Sequence, residues 1–247
     1  MSESQKISRR RHTLPVRVMH WINVLTLAFM LGSGLQIFNA HPMLNWGRQS
    51  YDGAAPLLDL GRGFPYWSTI PSVQWLAMGR RWHLFFAWIL VVNGLCYVAY
   101  SIRSHHLARD LIPDGGQLRG IGRSIIDHLR LRHAAGLEAL RYNVLQKIAY
   151  LFVVFMLLPF IVVTGLGMSP RMDTVIAGWV DLLGGRQSAR TLHFLAAACL
   201  VAFVLVHVFE VVVTGLWNNL RSMITGRYEV TPLPGEIALP RDGKHEH

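Results

Sequence analysis

Four long apolar stretches divide this chain, at 16–38, 83–102, 144–168 and 191–217, and polar or basic segments separate them. Each runs to about 20 residues or more, the length a helix needs to cross a hydrocarbon layer about 30 Å thick. The first is longer than the roughly 7–15 apolar residues of a secretory signal, so it reads as a retained span. The pattern predicts an all-α integral membrane protein, a bundle of four transmembrane helices. Its helical domain occupies 15–217, between a basic, solvated tail at 1–14 and a polar, Pro-rich, weakly structured tail at 218–247. Pro15 can open the first helix, where its missing N–H is not needed, and Pro159 is expected to kink the third. Gly32, Gly34 and Gly94 permit close approach of a neighbouring helix or a flat ligand.

Between the spans two loops differ in character. Residues 39–81 are rich in Pro, Gly and aromatics, including Trp46, Tyr51, Tyr66, Trp67 and Trp75. Such a composition suits an interfacial aromatic belt and also a docking surface for a partner. Residues 103–142 are basic, and Ile121, Ile125, Ile126 and Leu129 recur at near-helical spacing. An amphipathic helix on the membrane surface is expected there, with Arg123, Arg130 and Arg132 toward water or anionic lipid. The five-residue match VVTGL at 162–166 and 212–216 is explained by small-residue helix packing.

Composition agrees with the pattern: of 247 residues 52% are hydrophobic and 15% charged, with mean hydropathy +0.32. A net charge of +10 would suit nucleic acid, but its placement records topology instead. Five Lys and Arg residues precede His20, eight lie from Arg103 to Lys147 and four follow Trp217, against seven in the two alternate loops. By the positive-inside rule both termini are cytoplasmic and the protein is multi-pass in the bacterial cytoplasmic membrane. Cys96 and Cys199 fall within spans at different depths, too far apart to join, and read as small buried residues.

The candidate chemistry lies in four histidines. His193 and His207 are fourteen residues apart in the fourth span, close to four helical turns, so they share a helix face roughly 21 Å apart along the axis. His20 opens the first span on the inner side, and His83 opens the second on the outer side. Depth alone therefore pairs His20 with His207 and His83 with His193. Two bis-histidine pairs at two levels are what two b haems require. Imidazoles that only bridge helices are the competing reading. Four of them in depth-matched pairs favour cofactor ligation, because polar groups are costly in lipid. No Cys or carboxylate shares either level as a zinc site would need. Arg17 and Arg221 on the inner side, and Arg80, Arg81 and Arg190 on the outer side, are candidate partners for haem propionates. Glu210, three residues after His207, can orient a ligand, relay a proton or face the headgroups. His41, His105, His106, His128 and His133 read as surface residues.

His20–Trp21, the single His opening the second span, YNVLQK before the third and His-x13-His in the fourth together resemble the bacterial dihaem cytochrome b family. These are membrane subunits of formate dehydrogenases, Ni-Fe hydrogenases and thiosulfate reductases, and the likeness covers about 13–227. Asn39-Ala40-His41-Pro42 to Trp46-Gly47, with Arg80-Arg81-Trp82-His83, is most similar to the thiosulfate-reductase branch, and the long loop departs from the hydrogenase type. The resemblance implies ligation by the same four histidines. It also implies a quinone beside the inner haem, contacted by Asn143, which matches the family's Asn, with Gln146 nearby. A helix cap and an ordinary interfacial polar residue are the plain alternatives for these two.

The expected function is electron transfer between the quinone pool and an extracytoplasmic redox subunit, with a molybdoenzyme as one candidate. The chain would then be the electron-transfer subunit of a quinone-linked oxidoreductase complex, its partners being the lipid bilayer, quinone or quinol and that subunit, with no nucleic acid. A stand-alone membrane haem oxidoreductase acting on a small oxidant is one alternative, and a non-haem proton-coupled transporter or passive anchor is another. No serine triad, phosphate loop or HExxH motif supports a hydrolytic activity.

Overall fold

The computed structural model describes residues 6–48, 55–130, 136–176, 178–234 and 236. Tyr51, Arg132 and His133 therefore lie outside the described residues. Strand β1 (Ile7–Arg10) leads into α1 (Leu14–Phe38), short strands β2 (Met43–Leu44) and β3 (Leu58–Asp59), and α2 (Leu76–Arg103). Helices α3 (Gly115–Arg119), α4 (Ile121–Leu129), α5 (Val144–Phe152) and α6 (Leu158–Gly167) follow. The short α7 (Pro170–Val175) and α8 (Trp179–Leu182) precede α9 (Arg186–Val213), α10 (Leu216–Thr225) and β4 (Arg227–Val230).

Among the described residues, four helical stretches are long and apolar enough to cross a membrane: Leu14–Phe38, Leu76–Arg103, Gly136–Gly167 and Arg186–Val213. Their surfaces expose large apolar side chains such as Trp88, Leu95, Leu205 and Val206, as a lipid-facing surface does. Cys96 and Cys199 share that exposed surface and are free thiols, not buried as their size suggested. The second and fourth helices begin earlier than the apolar pattern alone indicates, because Leu76–Trp82 and Arg186–Arg190 are helical although partly polar. The fourth ends at Val213: Gly215 takes φ +109°, which interrupts the helix and lets α10 start afresh. In the third, Val153–Leu157 form a π-helical turn directly before α6, whose second residue is Pro159. Widening the preceding turn accommodates a residue that has no N–H and crowds the carbonyl four positions back.

Packing divides the chain into two compact units. The first comprises Met1–Val18, Ser101–Tyr150 and His207–His247. There β1 pairs antiparallel with β4, with Ile7 opposite Val230 and Arg10 opposite Arg227. The basic N-terminal segment is thus solvent-facing but pinned, a pairing its charge pattern does not reveal. Gly226 ends α10 with φ +84°, its carbonyl accepting from Arg11 N at 2.8 Å, and the Arg17 guanidinium donates to the Ile224 carbonyl. Asp114 and Gln117 form a capping box on α3. Helix α4 is amphipathic as expected.

The second unit comprises Met19–Tyr100 and Leu151–Val206. Val153, Leu157 and Ile161 pack with Ala196 and Leu200 of α9 in a small apolar core, joined by Leu27 and Phe203. Phe29 of α1 stacks on Phe86 of α2 at 4.2 Å between centroids. Asn93 Nδ2 donates to the Met19 carbonyl at 2.9 Å and to Asn23 Oδ1 at 2.8 Å, joining the same two helices by a polar contact. The 39–81 loop is fastened by its backbone. Asn39 exchanges two 2.7 Å hydrogen bonds with the Phe64 backbone, and Thr191 Oγ1 donates to the Asn45 carbonyl at 2.6 Å.

Candidate haem site

His83 on α2 and His193 on α9 face each other within the second unit, with ring centroids 6.1 Å apart and planes at 68°. A metal ion held at about 2 Å by one imidazole nitrogen from each side sets the two ring centroids about 6 Å apart. The observed separation therefore leaves room for one metal between the two rings, and is too wide and too steeply inclined for the rings to stack on each other.

The remaining nitrogens settle which atoms face that gap. His83 Nδ1 lies 3.1 Å from Ser33 Oγ. His193 Nδ1 lies 3.2 Å from Thr164 Oγ1 and 2.9 Å from the Ile161 carbonyl oxygen. A carbonyl only accepts, so His193 carries its proton on Nδ1 and presents a lone pair at Nε2. Metal-bound histidines show this arrangement, donating the second ring N–H to a fixed acceptor. The donor set thus fits an iron with two axial imidazoles. Haem, when bound, supplies one-electron redox chemistry.

The five candidate propionate partners separate by their engagement. Arg190 gives N–H groups to the carbonyls of Met43, at 2.9 Å, and His41, and lies over the Phe38 ring, so the loop occupies it. Arg17 is held by the Ile224 carbonyl and Arg221 pairs with Glu229. Arg80 and Arg81, three and two residues before His83, are exposed and have no partner among the described residues.

His20 belongs to the second unit, edge-on to Trp21 at 5.4 Å, and His207 to the first, edge-on to Tyr150 at 6.4 Å. The first unit also links polar groups of α4, α5 and α9. His128 Nε2 of α4 meets Glu210 Oε1 at 3.1 Å, so a histidine that reads as a surface residue is paired with the one acid of the fourth span. One turn earlier, Ser124 Oγ donates to Asn143 Oδ1 at 2.6 Å. Asn143 and Gln146 do form a cap on α5: Asn143 Oδ1 accepts from Leu145 N at 3.1 Å, and Gln146 Oε1 from Asn143 N at 3.2 Å. Both side chains cap through oxygen, which leaves both amide nitrogens without a partner among the described residues.

Ser33 and Thr164 escaped the sequence reading, because a lone hydroxyl in an apolar span ordinarily bonds back to its own helix. Their signal was the residue that follows, since both Ser33–Gly34 and Thr164–Gly165 place a glycine beside the hydroxyl. In the second VVTGL copy Thr214 likewise donates to the carbonyl four residues back, Glu210, at 2.6 Å, but the group it accepts from is Asn219 Nδ2, at 2.9 Å, and not a histidine. The same five residues close a helix there and line a ligand here. Gly32 meets the loop rather than a ligand, its carbonyl accepting from Ile70 N at 3.0 Å.

Four membrane-crossing helices with two opposed imidazoles among them are the arrangement that a membrane-bound b-type cytochrome requires. Residues 11–226 match the profile of the prokaryotic cytochrome b561 family, and the chain belongs to that family. A protein of Azospira oryzae named "Putative protein-methionine-sulfoxide reductase subunit YedZ1" is 33% identical over 215 residues, covering 85% of this chain and 93% of its own length. A Cupriavidus necator protein named "Probable Ni/Fe-hydrogenase B-type cytochrome subunit" is 26% identical over 227 residues, covering 86% of this chain and 83% of its own. The protein is accordingly a multi-pass, haem-b-binding electron carrier of the bacterial inner membrane.

Proposed function

We propose that the chain holds two b haems, one between His83 and His193 and one between His20 and His207, and passes electrons between quinone and an extracytoplasmic redox enzyme. The observation that carries this reading is the opposed His83–His193 pair, whose spacing and bonded Nδ1 atoms suit axial ligation. His193 and His207 lie on one uninterrupted helix, α9, which supports a second ligand one membrane depth away. The quinone contact is assigned to Asn143 and Gln146, whose amide nitrogens can donate to a quinone carbonyl, and the quinol proton to the His128–Glu210 pair, whose His128 lies one turn after the Ser124 that bonds Asn143. Arg80 and Arg81 are assigned to the propionates at the His83 level. A partner enzyme is supported by the relatives, one named as a protein-methionine-sulfoxide reductase subunit and the other as a Ni/Fe-hydrogenase cytochrome subunit.

Haem extraction and quantification against chain concentration tests the count. Two haems b per chain are expected, and one per chain would remove the His20–His207 site. The orientation rests on the basic residues, which favour cytoplasmic termini. A cytoplasmic-only reporter fused after Arg227 should be active and an export-dependent reporter silent. The reverse result would exchange the two faces.

A further inference from the structure

We infer that Ser33–Gly34 on α1 and Thr164–Gly165 on α6 are a matched pair of cradles that fix the orientation and ligand strength of His83 and His193. These are positioning residues, acting on the iron only through the imidazoles. The proposal rests on the reading that the two histidines hold a haem.

Both hydroxyls are fully buried, Ser33 and Thr164 being 0% exposed. Ser33 Oγ has acceptors in the Phe29 carbonyl at 2.5 Å and the Met30 carbonyl at 3.3 Å, and Thr164 Oγ1 in the Phe160 carbonyl at 2.8 Å and the Ile161 carbonyl at 3.1 Å. Each hydroxyl proton is thus committed to its own helix, three or four residues back. Only the oxygen lone pairs face the imidazole, so each can accept an Nδ1–H and cannot donate to a bare nitrogen. Both ligands are held in the same tautomer, with Nε2 turned away from the cradle.

The glycines complete the arrangement. A Cβ on Gly34 would lie 3.4 Å from His83 Cε1, and one on Gly165 would lie 3.3 Å from His193 Cε1. Each ring therefore rests against bare backbone, where a methyl group would press it about its ligand axis. In both halves the cradle comes from the span before the ligand: α1 serves α2, and α6 serves α9. Hydroxyl and glycine are adjacent in sequence both times, so one device occurs on each side of the metal position.

An acceptor on Nδ1–H makes an imidazole a stronger donor to its metal and favours the ferric state. Ser33→Ala and Thr164→Val should then raise the potential of this haem alone, the other serving as internal reference. At fixed ambient potential its oxidised-to-reduced ratio should fall up to about tenfold, equivalent to about 59 mV for one electron. Thr164→Val should give less than full loss, because the Ile161 carbonyl still receives Nδ1–H. Gly34→Ala and Gly165→Ala should keep the haem but shift its low-spin ferric electron paramagnetic resonance, which reports ring orientation.

The decisive comparison is Thr164→Val with Thr164→Ser, by redox titration and resonance spectra of the purified membrane protein. Recovery of the original potential and spectrum in Thr164→Ser supports the cradle, as does haem loss in Thr164→Val but not in Thr164→Ser. Unchanged potentials and spectra in Thr164→Val, or the same defect in both variants, overturn it. Failure of the haem assignment itself is read separately, as unchanged haem content in folded His83→Ala and His193→Ala protein.

Discussion

His193→Ala should leave a folded protein with one haem instead of two. The substitution removes one of two axial nitrogens, and the facing His83 ring, 6.1 Å away between centroids, cannot move to replace it. Its Nδ1 is anchored at Ser33, and Gly34 lies against Cε1. A single remaining imidazole would hold a five-coordinate iron far less tightly, since losing even an outer partner of a metal ligand costs about 10–100-fold in affinity. His83→Ala should give the same result, and the double variant should lose no more than either alone, because the two residues act as one unit. His20→Ala and His207→Ala should form a second such set that spares the His83–His193 haem. Haem content and the reduced-minus-oxidised spectrum of each variant check this. Loss of both haems from folded His193→Ala protein, or retention of both, would contradict the pairing.

The second large effect concerns quinone chemistry. Asn143→Ala would remove a helix cap, worth about 1 kcal/mol, together with any quinone contact, so a slower rate would be ambiguous. Asn143→Asp separates the two. A carboxylate caps a helix as well as an amide does and can keep the Ser124 and Leu145 hydrogen bonds, but it replaces the Nδ2 donor with a second acceptor. An acceptor facing a quinone carbonyl repels it, so quinol-driven haem reduction should slow by at least about tenfold while thermal stability and both haem spectra stay near those of the parent. Stopped-flow reduction by a quinol analogue checks it. A parental rate in Asn143→Asp would reduce Asn143 to a helix cap and remove this quinone assignment.

The spans were legible because membrane-crossing helices must satisfy their backbone internally and present an apolar surface, which leaves a run of about 20 apolar residues in the sequence. The His83–His193 pair was legible too, because an imidazole within such a run stands out and depth limits its partners. What supports those ligands was not. Ser33 and Thr164 look like ordinary intramembrane hydroxyls, and only the fold brings each against a ring fifty or twenty-nine positions away. Nor does a basic tail announce that Ile7–Arg10 will pair with Arg227–Val230, since that register depends on where α10 ends. Asn143 and Gln146 show the converse. The cap is formed by the two side-chain oxygens, and the proposed quinone contact would use the two amide nitrogens.

The most direct test of a quinone-linked dihaem carrier is the visible absorption spectrum of the purified protein before and after a quinol analogue. The account predicts low-spin b-haem bands for two haems per chain, most of them reduced by quinol and the remainder by a strong chemical reductant. A protein without haem bands, or one reduced by the chemical reductant and untouched by quinol, would contradict it.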